Sequence, residues 1–340
     1  MKKAIIAICI VGILLGVLMT FSASAHPGLD DVRAKHESQL IAIKGVSGVA
    51  SDKATNEIVV FTETQKDCDK VPKDLDGFKV RCEATGRIEA LQPTAVAAQS
   101  GQQTGQKTTI RYSRTGQDRP VFGGISVGSS AYPGSAGTIG LVTSNGQVLS
   151  CAHVLAMDSS GKLVTQADVW QPGGYDRGTS ANKIGTLTSQ TTITFNNPGA
   201  MNNKADAAYA TLSTGITYKQ NAVLNAANTG WVTISSQGIA NPGDTVSKSG
   251  RTTGVTTSKV TYTGATVTVW YTQTKYAVFT DQILIYNQPR QPPFSAAGDS
   301  GSVIYNTQGQ FVGLLFAGSN TLTVANTATN VINGLSGFAM

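Results

Sequence analysis

Short apolar and β-branched runs alternate with turn signals from Pro120 to the C-terminus, and no other feature of the 340-residue chain constrains its fold as strongly. The run 137–143 is followed by Asn145-Gly146 and then by the run 147–151. Asn-Gly tolerates the positive φ of a type I′ turn, so these two runs predict a β-hairpin. Because helical spacers are missing between the runs, we expect an all-β fold of two barrels or sandwiches in succession. Further strands are predicted at 255–263, 265–271, 277–286, 302–305 and 310–316, with a short closing helix at 327–335.

The N-terminal residues have the pattern of a secretory leader. Two lysines precede an uncharged run over 4–21, and Ala23-Ser24-Ala25 supplies the small-x-small pattern that signal peptidase accepts. We therefore predict a signal peptide at 1–25 and a secreted, extracellular or periplasmic protein that has no membrane contact after cleavage. The alternative is an uncleaved membrane anchor, because the uncharged run has about the minimum length of a spanning helix.

Residues 26–90 have a different pattern from the β region. A helix is predicted over 29–44, with acidic residues in its first turn and a glycine after its end. Strands are predicted at 58–62, 78–82 and 87–90. This part of the chain is therefore expected to form a small α+β unit with a marginal core of its own.

A segment rich in Gln, Thr, Ser and Gly follows at 91–119 and is typical of a flexible linker. Within it, 108–114 is basic and predicted to be exposed, which makes it a natural site for proteolytic cutting. The β domain is then expected to occupy 120–340.

Export would place the cysteines in an oxidising compartment. Cys68 and Cys82 are then candidates for a disulfide that closes a loop of about 15 residues, worth roughly 3 kcal/mol. Cys151 is left over and is predicted to be a buried free thiol. The alternative is that none of the three is bonded.

The charge pattern argues against several classes of function. The formal net charge is +6, with two of those charges in the leader, and no Lys/Arg block or basic–aromatic pattern suggests nucleic-acid binding. The sequence contains no metal-ligand cluster, phosphate loop or nucleotide fingerprint. We therefore predict no metal, no cofactor and no nucleic-acid partner.

Three fragments carry candidate catalytic residues in the order His, Asp, Ser, which is one of the known chain orders for a catalytic triad. His153 ends a predicted strand, Asp206 lies among small apolar residues, and Ser300 is held between glycines. An imidazole can take the proton of a serine hydroxyl, and a buried carboxylate fixes the imidazole tautomer. The other histidines, His26 and His36, precede the β region, so His153 is its one candidate base of this kind.

A glycine beside the nucleophile allows backbone N–H groups to approach a developing negative charge. The N–H groups of Gly298 and Ser300 are therefore the candidate oxyanion-hole donors. A removed donor of this kind typically raises the barrier by roughly 3 to 4 kcal/mol.

The fragments Ala152-His153 and Gly298-Asp299-Ser300 with Gly301 resemble those of trypsin/chymotrypsin-like serine proteases, over about 120–335. The resemblance implies two six-stranded antiparallel Greek-key β-barrels of the chymotrypsin type, with the site in the cleft between them, and polypeptide substrates.

A second segment is similar to one found in the bacterial α-lytic protease and streptogrisin branch. It reads Ser249-Gly250-Arg251-Thr252-Thr253-Gly254. In that branch the arginine pairs with the aspartate before the nucleophile, so the resemblance implies that Arg251 neutralises Asp299 and supports the oxyanion loop. The alternative for Arg251 is an ordinary surface charge.

The same branch is made with a pro-region that assists folding and then inhibits the enzyme. The resemblance therefore implies that 26–90 is a pro-region, that the unit binds the protease domain in cis, and that the chain is a zymogen. The stretches 123–124 and 173–185 are also similar to trypsin-like proteins related to plant narrow-leaf proteins, in which the N-terminal unit stays attached. Both possibilities remain open.

The sequence departs from the family near the cleft. Ser302 stands where a second glycine is usual, and Phe316-Ala317-Gly318 replaces Ser-Trp-Gly. Phe294, with Phe316 and Gly318, is therefore predicted to form a shallow apolar substrate pocket. These departures also motivate two alternatives: a latent or inactive binding scaffold on the same fold, and a β-rich surface adhesin without a triad.

Overall fold

The computed structural model describes residues 27–92, 111–288 and 290–340. The predicted signal peptide and most of the predicted linker lie outside these residues. The helices are α1 (Leu29–Ile41), α2 (Ala152–Leu155) and α3 (Ala328–Gly334). The strands of the N-terminal unit are β1 (Val46–Asp52), β2 (Glu57–Thr62), β3 (Asp74–Leu75), β4 (Phe78–Ala84) and β5 (Glu89–Ala90). The next strands are β6 (Val121–Gly123), β7 (Ser126–Ser129), β8 (Gly137–Thr138), β9 (Leu141–Val142), β10 (Gln147–Ser150), β11 (Asp168–Trp170), β12 (Lys183–Gln190), β13 (Ala208–Leu212), β14 (Tyr218–Leu224) and β15 (Trp231–Thr233). The last strands are β16 (Thr245–Gly250), β17 (Gly254–Lys259), β18 (Tyr262–Trp270), β19 (Tyr276–Tyr286), β20 (Val303–Asn306), β21 (Phe311–Gly318) and β22 (Leu322–Thr327).

The first barrel is an antiparallel sheet with the order β8-β7-β11-β12-β13-β10-β9. Its two end members, β8 and β9, are pieces of one run of chain from Gly137 to Val142. The sheet therefore closes on itself. When that run is counted once, the barrel has six strands.

The second barrel repeats this arrangement. Its strands follow the order β17-β16-β20-β21-β22-β19-β18, and every pairing between neighbours is antiparallel. The end members β17 and β18 are again successive parts of one run, so this sheet also closes with six strands. The order of strands along the chain is the same in both barrels. The predicted fold of two six-stranded antiparallel Greek-key barrels is therefore confirmed.

The N-terminal unit continues the sheet of the second barrel. Strand β1 pairs antiparallel with β18, with Gly48 opposite Val267 and Val49 opposite Thr266. Gly48 is required here, because a Cβ would lie 2.8 Å from the Thr266 carbonyl oxygen. Helix α1 buries Val32 and Leu40 against this sheet. No helix in 27–92, 111–288 or 290–340 is long and apolar enough to cross a membrane.

Cys68 and Cys82 form a disulfide in the N-terminal unit, with their Cα atoms 5.7 Å apart. Cys151 is a buried free thiol in the first barrel.

The expected boundaries of the helix and the linker differ from the structure. Helix α1 ends at Ile41, three residues before the predicted end at Lys44. The part of the predicted linker at 111–119 is packed on the barrels. The half-buried guanidinium of Arg114 donates to the carbonyl oxygens of Gly124, Gly250 and Asn225. One arginine side chain thus acts as hydrogen-bond donor to three backbone carbonyls of the β domain. The segment 111–119 that carries it is therefore part of the domain rather than a linker.

Candidate active site

The three candidate catalytic residues lie next to strands of the two barrels, and the structure brings two of them, His153 and Asp206, into direct contact. His153 lies in α2, directly after β10, and Asp206 precedes β13 in the same barrel. Ser300 precedes β20 in the second barrel. Each of the three side chains is 0% exposed.

His153 and Asp206 form a close pair. The His153 Nδ1 lies 2.7 Å from the Asp206 Oδ2, and the His153 backbone N–H donates to Oδ1 at 3.0 Å. Burial by itself raises the pKa of the Asp206 carboxyl. The adjacent imidazole and the hydrogen bonds to the carboxylate outweigh burial and hold that pKa below its usual value. The carboxylate is therefore charged at neutral pH and can fix the imidazole tautomer.

Two residues that sequence reasoning missed support this aspartate. The Tyr271 hydroxyl donates to Asp206 Oδ2 at 2.7 Å, and its ring packs edge-on against the His153 ring with centroids 6.0 Å apart. Asn326 accepts from the Asp206 N–H at 3.1 Å and donates to the Asp206 carbonyl oxygen at 3.2 Å. Tyr271 is 65 residues from Asp206 in sequence, so no local motif could have indicated the contact.

Tyr271→Phe is expected to lower kcat by about 10- to 100-fold and to leave KM nearly unchanged. A hydrogen bond to a charged group contributes roughly 1.5 to 3 kcal/mol, and the phenylalanine ring keeps the packing on His153. Steady-state kinetics of the reaction that the His153–Asp206 pair would support measure both constants. Tyr276→Phe, in the same hairpin and without contact to Asp206, is the matched control. An unchanged kcat for Tyr271→Phe would show that its hydroxyl does not act through Asp206.

Ser300 is not hydrogen-bonded to His153 in this conformation. Its Oγ donates to the Phe316 carbonyl oxygen at 3.1 Å. His153 Nε2 is one of the buried side-chain atoms of the described residues that have no hydrogen-bond partner. A rotation of the serine side chain toward Nε2 is therefore needed before a proton can pass, and such contacts commonly tighten only when substrate is bound.

The turn before Ser300 presents a backbone donor. Gly298 has φ +96°, and a Cβ there would lie 2.5 Å from Thr252 Oγ1, so only glycine fits. The Gly298 N–H donates to the Leu91 carbonyl oxygen at 2.8 Å. This predicted oxyanion donor thus already holds a peptide carbonyl. The second predicted donor, the Ser300 N–H, belongs to the same turn.

The predicted ion pair between Arg251 and Asp299 is wrong, because Lys248 occupies that role. Lys248 Nζ lies 3.4 Å from Asp299 Oδ2, and both side chains are fully buried. The carboxylate also accepts from the backbone N–H groups of Thr252 at 2.9 Å and Ala296 at 3.1 Å. Burial lowers the pKa of Lys248 to about 8, although the charge of Asp299 opposes this shift.

Arg251 pairs with Asp176 of the first barrel instead. Its Nε donates to Asp176 Oδ2 at 2.9 Å, its second nitrogen contacts Oδ1, and the guanidinium lies 5.1 Å from the Tyr175 ring centroid. Side chains alternate along β16, so Lys248 and Gly250 share the face toward Asp299. A Cβ at Gly250 would overlap the Asp299 carboxylate. Arg251 follows the end of this strand and reaches the other barrel.

A short piece of the N-terminal part of the chain, Glu89–Gln92, lies across the site; we call it the cleft segment. Its strand β5 pairs antiparallel with β21, with Ala90 opposite Ala317 and Glu89 opposite Gly318. The Leu91 N–H donates to the Phe316 carbonyl oxygen at 3.2 Å. The Gln92 side-chain amide donates to the His153 carbonyl oxygen at 2.7 Å. Residues 91 and 92, expected in the linker, are therefore bound in the cleft.

The predicted pocket residues divide into two groups. Phe294 is buried in an apolar cluster of the second barrel, and the Leu91 side chain packs against that cluster. Gly318 borders this side chain, because a Cβ at Gly318 would lie at an ordinary contact distance, 3.5 Å, from Leu91 Cδ1. The side chain of Phe316 packs instead on Phe279 in a different cluster, with centroids 5.0 Å apart. Phe316 therefore contributes its carbonyl oxygen rather than its ring, which corrects the predicted role.

Donor atoms of Cys151, His153 and Asp206 lie within 4.8 Å of one another, as a metal site would require. All three already have partners within the chain, because Cys151 Sγ donates to the Leu315 carbonyl oxygen at 3.2 Å and the other two pair together. Burial and the charge of Asp206 raise the pKa of the Cys151 thiol. A neutral thiol is a poor metal ligand, so the group fits a His–Asp pair with a thiol behind it.

No family model matches the chain, and no curated protein sequence matches it. Solved structures do match. Chymotrypsin from Cellulomonas bogoriensis is 21% identical, with a TM-score of 0.43 over 63% of this chain and 96% of that chain. Protease A from Thermobifida fusca is 19% identical, with a TM-score of 0.43 over 63% and 96%. An α-lytic protease homologue, N4, is 12% identical, with a TM-score of 0.44 over 63% and 97%. The closure and strand order of the two barrels define the fold independently of these values. Among proteins of known structure, the chain is similar to bacterial serine proteases of the chymotrypsin type.

Proposed function

We propose that this chain is a secreted serine endopeptidase that hydrolyses peptide bonds through an acyl-enzyme on Ser300. His153 is the general base, and Asp206 holds its imidazole in the tautomer that leaves Nε2 free to accept the serine proton. The N–H groups of Gly298 and Ser300 stabilise the negative oxygen of the tetrahedral intermediate. The observation that carries the proposal is the buried His153–Asp206 pair beside a turn whose N–H already binds a peptide carbonyl.

Secretion is supported by two features of the N-terminal part of the chain. The leader pattern at 1–25 directs export, and the Cys68–Cys82 disulfide is of the kind that persists in oxidising compartments. The natural substrates are accordingly polypeptides outside the cell or in the periplasm.

The N-terminal unit acts as an inhibitor in cis, so the full chain is a zymogen. Two contacts support this role: β1 extends the sheet of the second barrel, and the cleft segment covers the site. With Ser300 and His153 fully buried, another polypeptide has no access to the nucleophile. Removal of 26–90, together with the adjoining Leu91, from the cleft is therefore the step that produces activity.

A fluorophosphonate probe tests the endopeptidase proposal. The processed protein should gain one adduct at Ser300 by mass spectrometry and should hydrolyse casein. Ser300→Ala should lose both signals. A folded, processed sample that gives neither adduct nor hydrolysis would instead favour the inactive scaffold, which the buried site and the missing Ser300–His153 hydrogen bond also allow.

A further inference from the structure

The main chain of the cleft segment is bound in the way an extended substrate binds to a sheet edge. Antiparallel pairing of Ala90 and Glu89 with β21 fixes its direction. Recognition by strand addition of this kind uses main-chain hydrogen bonds for affinity and side-chain pockets for selection. The segment ends its pairing at Leu91, beside the nucleophile.

Leu91 is held at both of its peptide groups. Its N–H donates to the Phe316 carbonyl oxygen at 3.2 Å, and its carbonyl oxygen accepts from the Gly298 N–H at 2.8 Å. The Ser300 Oγ donates to the same Phe316 oxygen at 3.1 Å. The Ser300 Oγ and the Leu91 N–H therefore share one acceptor, the Phe316 carbonyl oxygen. The Leu91 carbonyl is polarised by the Gly298 N–H.

The surroundings of the Leu91 side chain are apolar. It packs against the cluster that contains Phe294, Leu315 and Ile285. Gly318 borders the same side chain, and a Cβ there would lie 3.5 Å from Leu91 Cδ1. Such a site gains free energy from burying an aliphatic side chain and disfavours a charged one.

We propose that the bond between Leu91 and Gln92 is the enzyme's own cleavage site and that the Leu91 pocket selects leucine-sized aliphatic side chains before the cleaved bond in other polypeptides. This inference rests on the proposed function and adds the bond, the residue and the pocket that select it. The cut would thus lie before the basic stretch 108–114, which composition alone suggests as the site of proteolysis.

The chemistry balances with one water molecule. Ser300 Oγ bonds to the Leu91 carbonyl carbon while its proton passes to His153 Nε2, and the carbonyl electron pair moves to the oxygen held by Gly298. The Leu91–Gln92 C–N bond then breaks, and the Gln92 nitrogen leaves as an amine with the proton from His153. A water molecule hydrolyses the ester, which restores Ser300 and leaves a Leu91 carboxyl group.

Self-cleavage is measured on the full chain with a C-terminal tag, by intact mass and by mapping the N-terminal peptide. The expected product of the wild type begins at Gln92, either free or cyclised to pyroglutamate. Ser300→Ala should remain uncut. Leu91→Met, which conserves volume, should still be cut, whereas Leu91→Asp should be cut at least tenfold more slowly, because its charge would be held against an apolar cluster without a partner. The first-order rate should not change on dilution if the cut occurs in cis.

A second measurement does not depend on the folding of the Leu91 variants. The processed wild type is given peptides that differ in one residue before the scissile bond. Leucine should be preferred over alanine in kcat/KM by roughly 10-fold or more, the factor that burial of additional aliphatic surface provides. Leucine should be preferred over aspartate or lysine by a larger factor.

The outcomes separate this inference from the proposed function. A wild type that takes the fluorophosphonate adduct and cuts casein, but begins within 108–114 or cuts equally well with Leu91→Asp, overturns the self-cleavage site. A preference for a basic or acidic residue in the peptide series overturns the pocket assignment. A folded, processed wild type that gives neither an adduct nor hydrolysis overturns the proposed function itself.

Discussion

Asp206→Asn is expected to lower kcat by about 10⁴-fold with little change in KM, the size of effect typical of removing the carboxylate from such a triad. The carboxylate accepts from His153 Nδ1 and from Tyr271. An asparagine keeps the volume, and its side-chain oxygen can still accept from the His153 backbone N–H. Its NH₂ group then faces the ring nitrogen Nδ1 and donates to it, which favours the imidazole tautomer that carries its proton on Nε2. That tautomer cannot take the proton of Ser300. Steady-state kinetics of the processed enzyme give kcat and KM separately.

Asp168→Asn is the matched control for this substitution. Asp168 belongs to the same barrel, is exposed and pairs with Lys183 at 2.7 Å. Surface pairs of this kind contribute little to stability, so the control should behave as the wild type. A loss of less than tenfold for Asp206→Asn, with an unchanged fold, would remove Asp206 from the catalytic set.

Lys248→Met should lower both the free energy of unfolding and kcat. The substitution leaves Asp299 buried without its counter-charge, which commonly costs about 3 to 5 kcal/mol. Asp299 also accepts from Ala296 and Thr252, so its displacement would move the turn that carries the Gly298 N–H. Loss of one oxyanion donor typically lowers kcat by about 10²- to 10³-fold. Chemical denaturation and kinetics measure the two effects.

Two further variants decide whether the charge pair is responsible. The double substitution Lys248→Met with Asp299→Asn should recover much of the lost free energy of unfolding, because no buried charge remains unpaired. Arg251→Met, which breaks the contact with Asp176 instead, should retain more activity than Lys248→Met. A larger loss of kcat in Arg251→Met would return the supporting role to the arginine.

The same pair predicts an alkaline limb in the activity of the wild type. Burial lowers the pKa of Lys248 to about 8, with Asp299 opposing and Arg114 adding to the shift. The ammonium is therefore charged well below pH 8 and neutral well above it, where Asp299 loses its counter-charge. Activity should decline as pH rises through about 8, and this limb should be absent in Lys248→Met. If the alkaline decline in activity persists unchanged in Lys248→Met, the titrating group is a residue other than Lys248.

Strand patterns and short motifs indicated much of the fold and the candidate catalytic residues. Hairpin signals such as Asn145-Gly146 are local, and so are the small residues around His153 and Ser300. The family resemblance supplied the barrel closure, which depends on pairings between distant strands. Sequence reasoning missed β1, because the run Val46–Asp52 contains a glycine and polar residues that weaken a strand pattern.

The remaining errors come from contacts that carry no local signal. The cleft segment is held by main-chain hydrogen bonds, which any sequence can make, so Leu91 and Gln92 were assigned to a linker by composition. Choosing between Lys248 and Arg251 required knowing which face of β16 meets Asp299. Tyr271 reaches the site from a hairpin of the second barrel, and only the folded chain brings its hydroxyl to Asp206.

The junction between β1 and β18 has a consequence for the proposed removal of the N-terminal unit. The backbone groups of β18 near Thr266 and Val267 are now paired with β1, and they would become an open sheet edge. Unpaired edges template association with other chains. Under the proposed removal of the N-terminal unit, the remaining barrels would therefore carry an aggregation hazard that the full chain hides, and their colloidal stability should fall when the departed strand is not replaced.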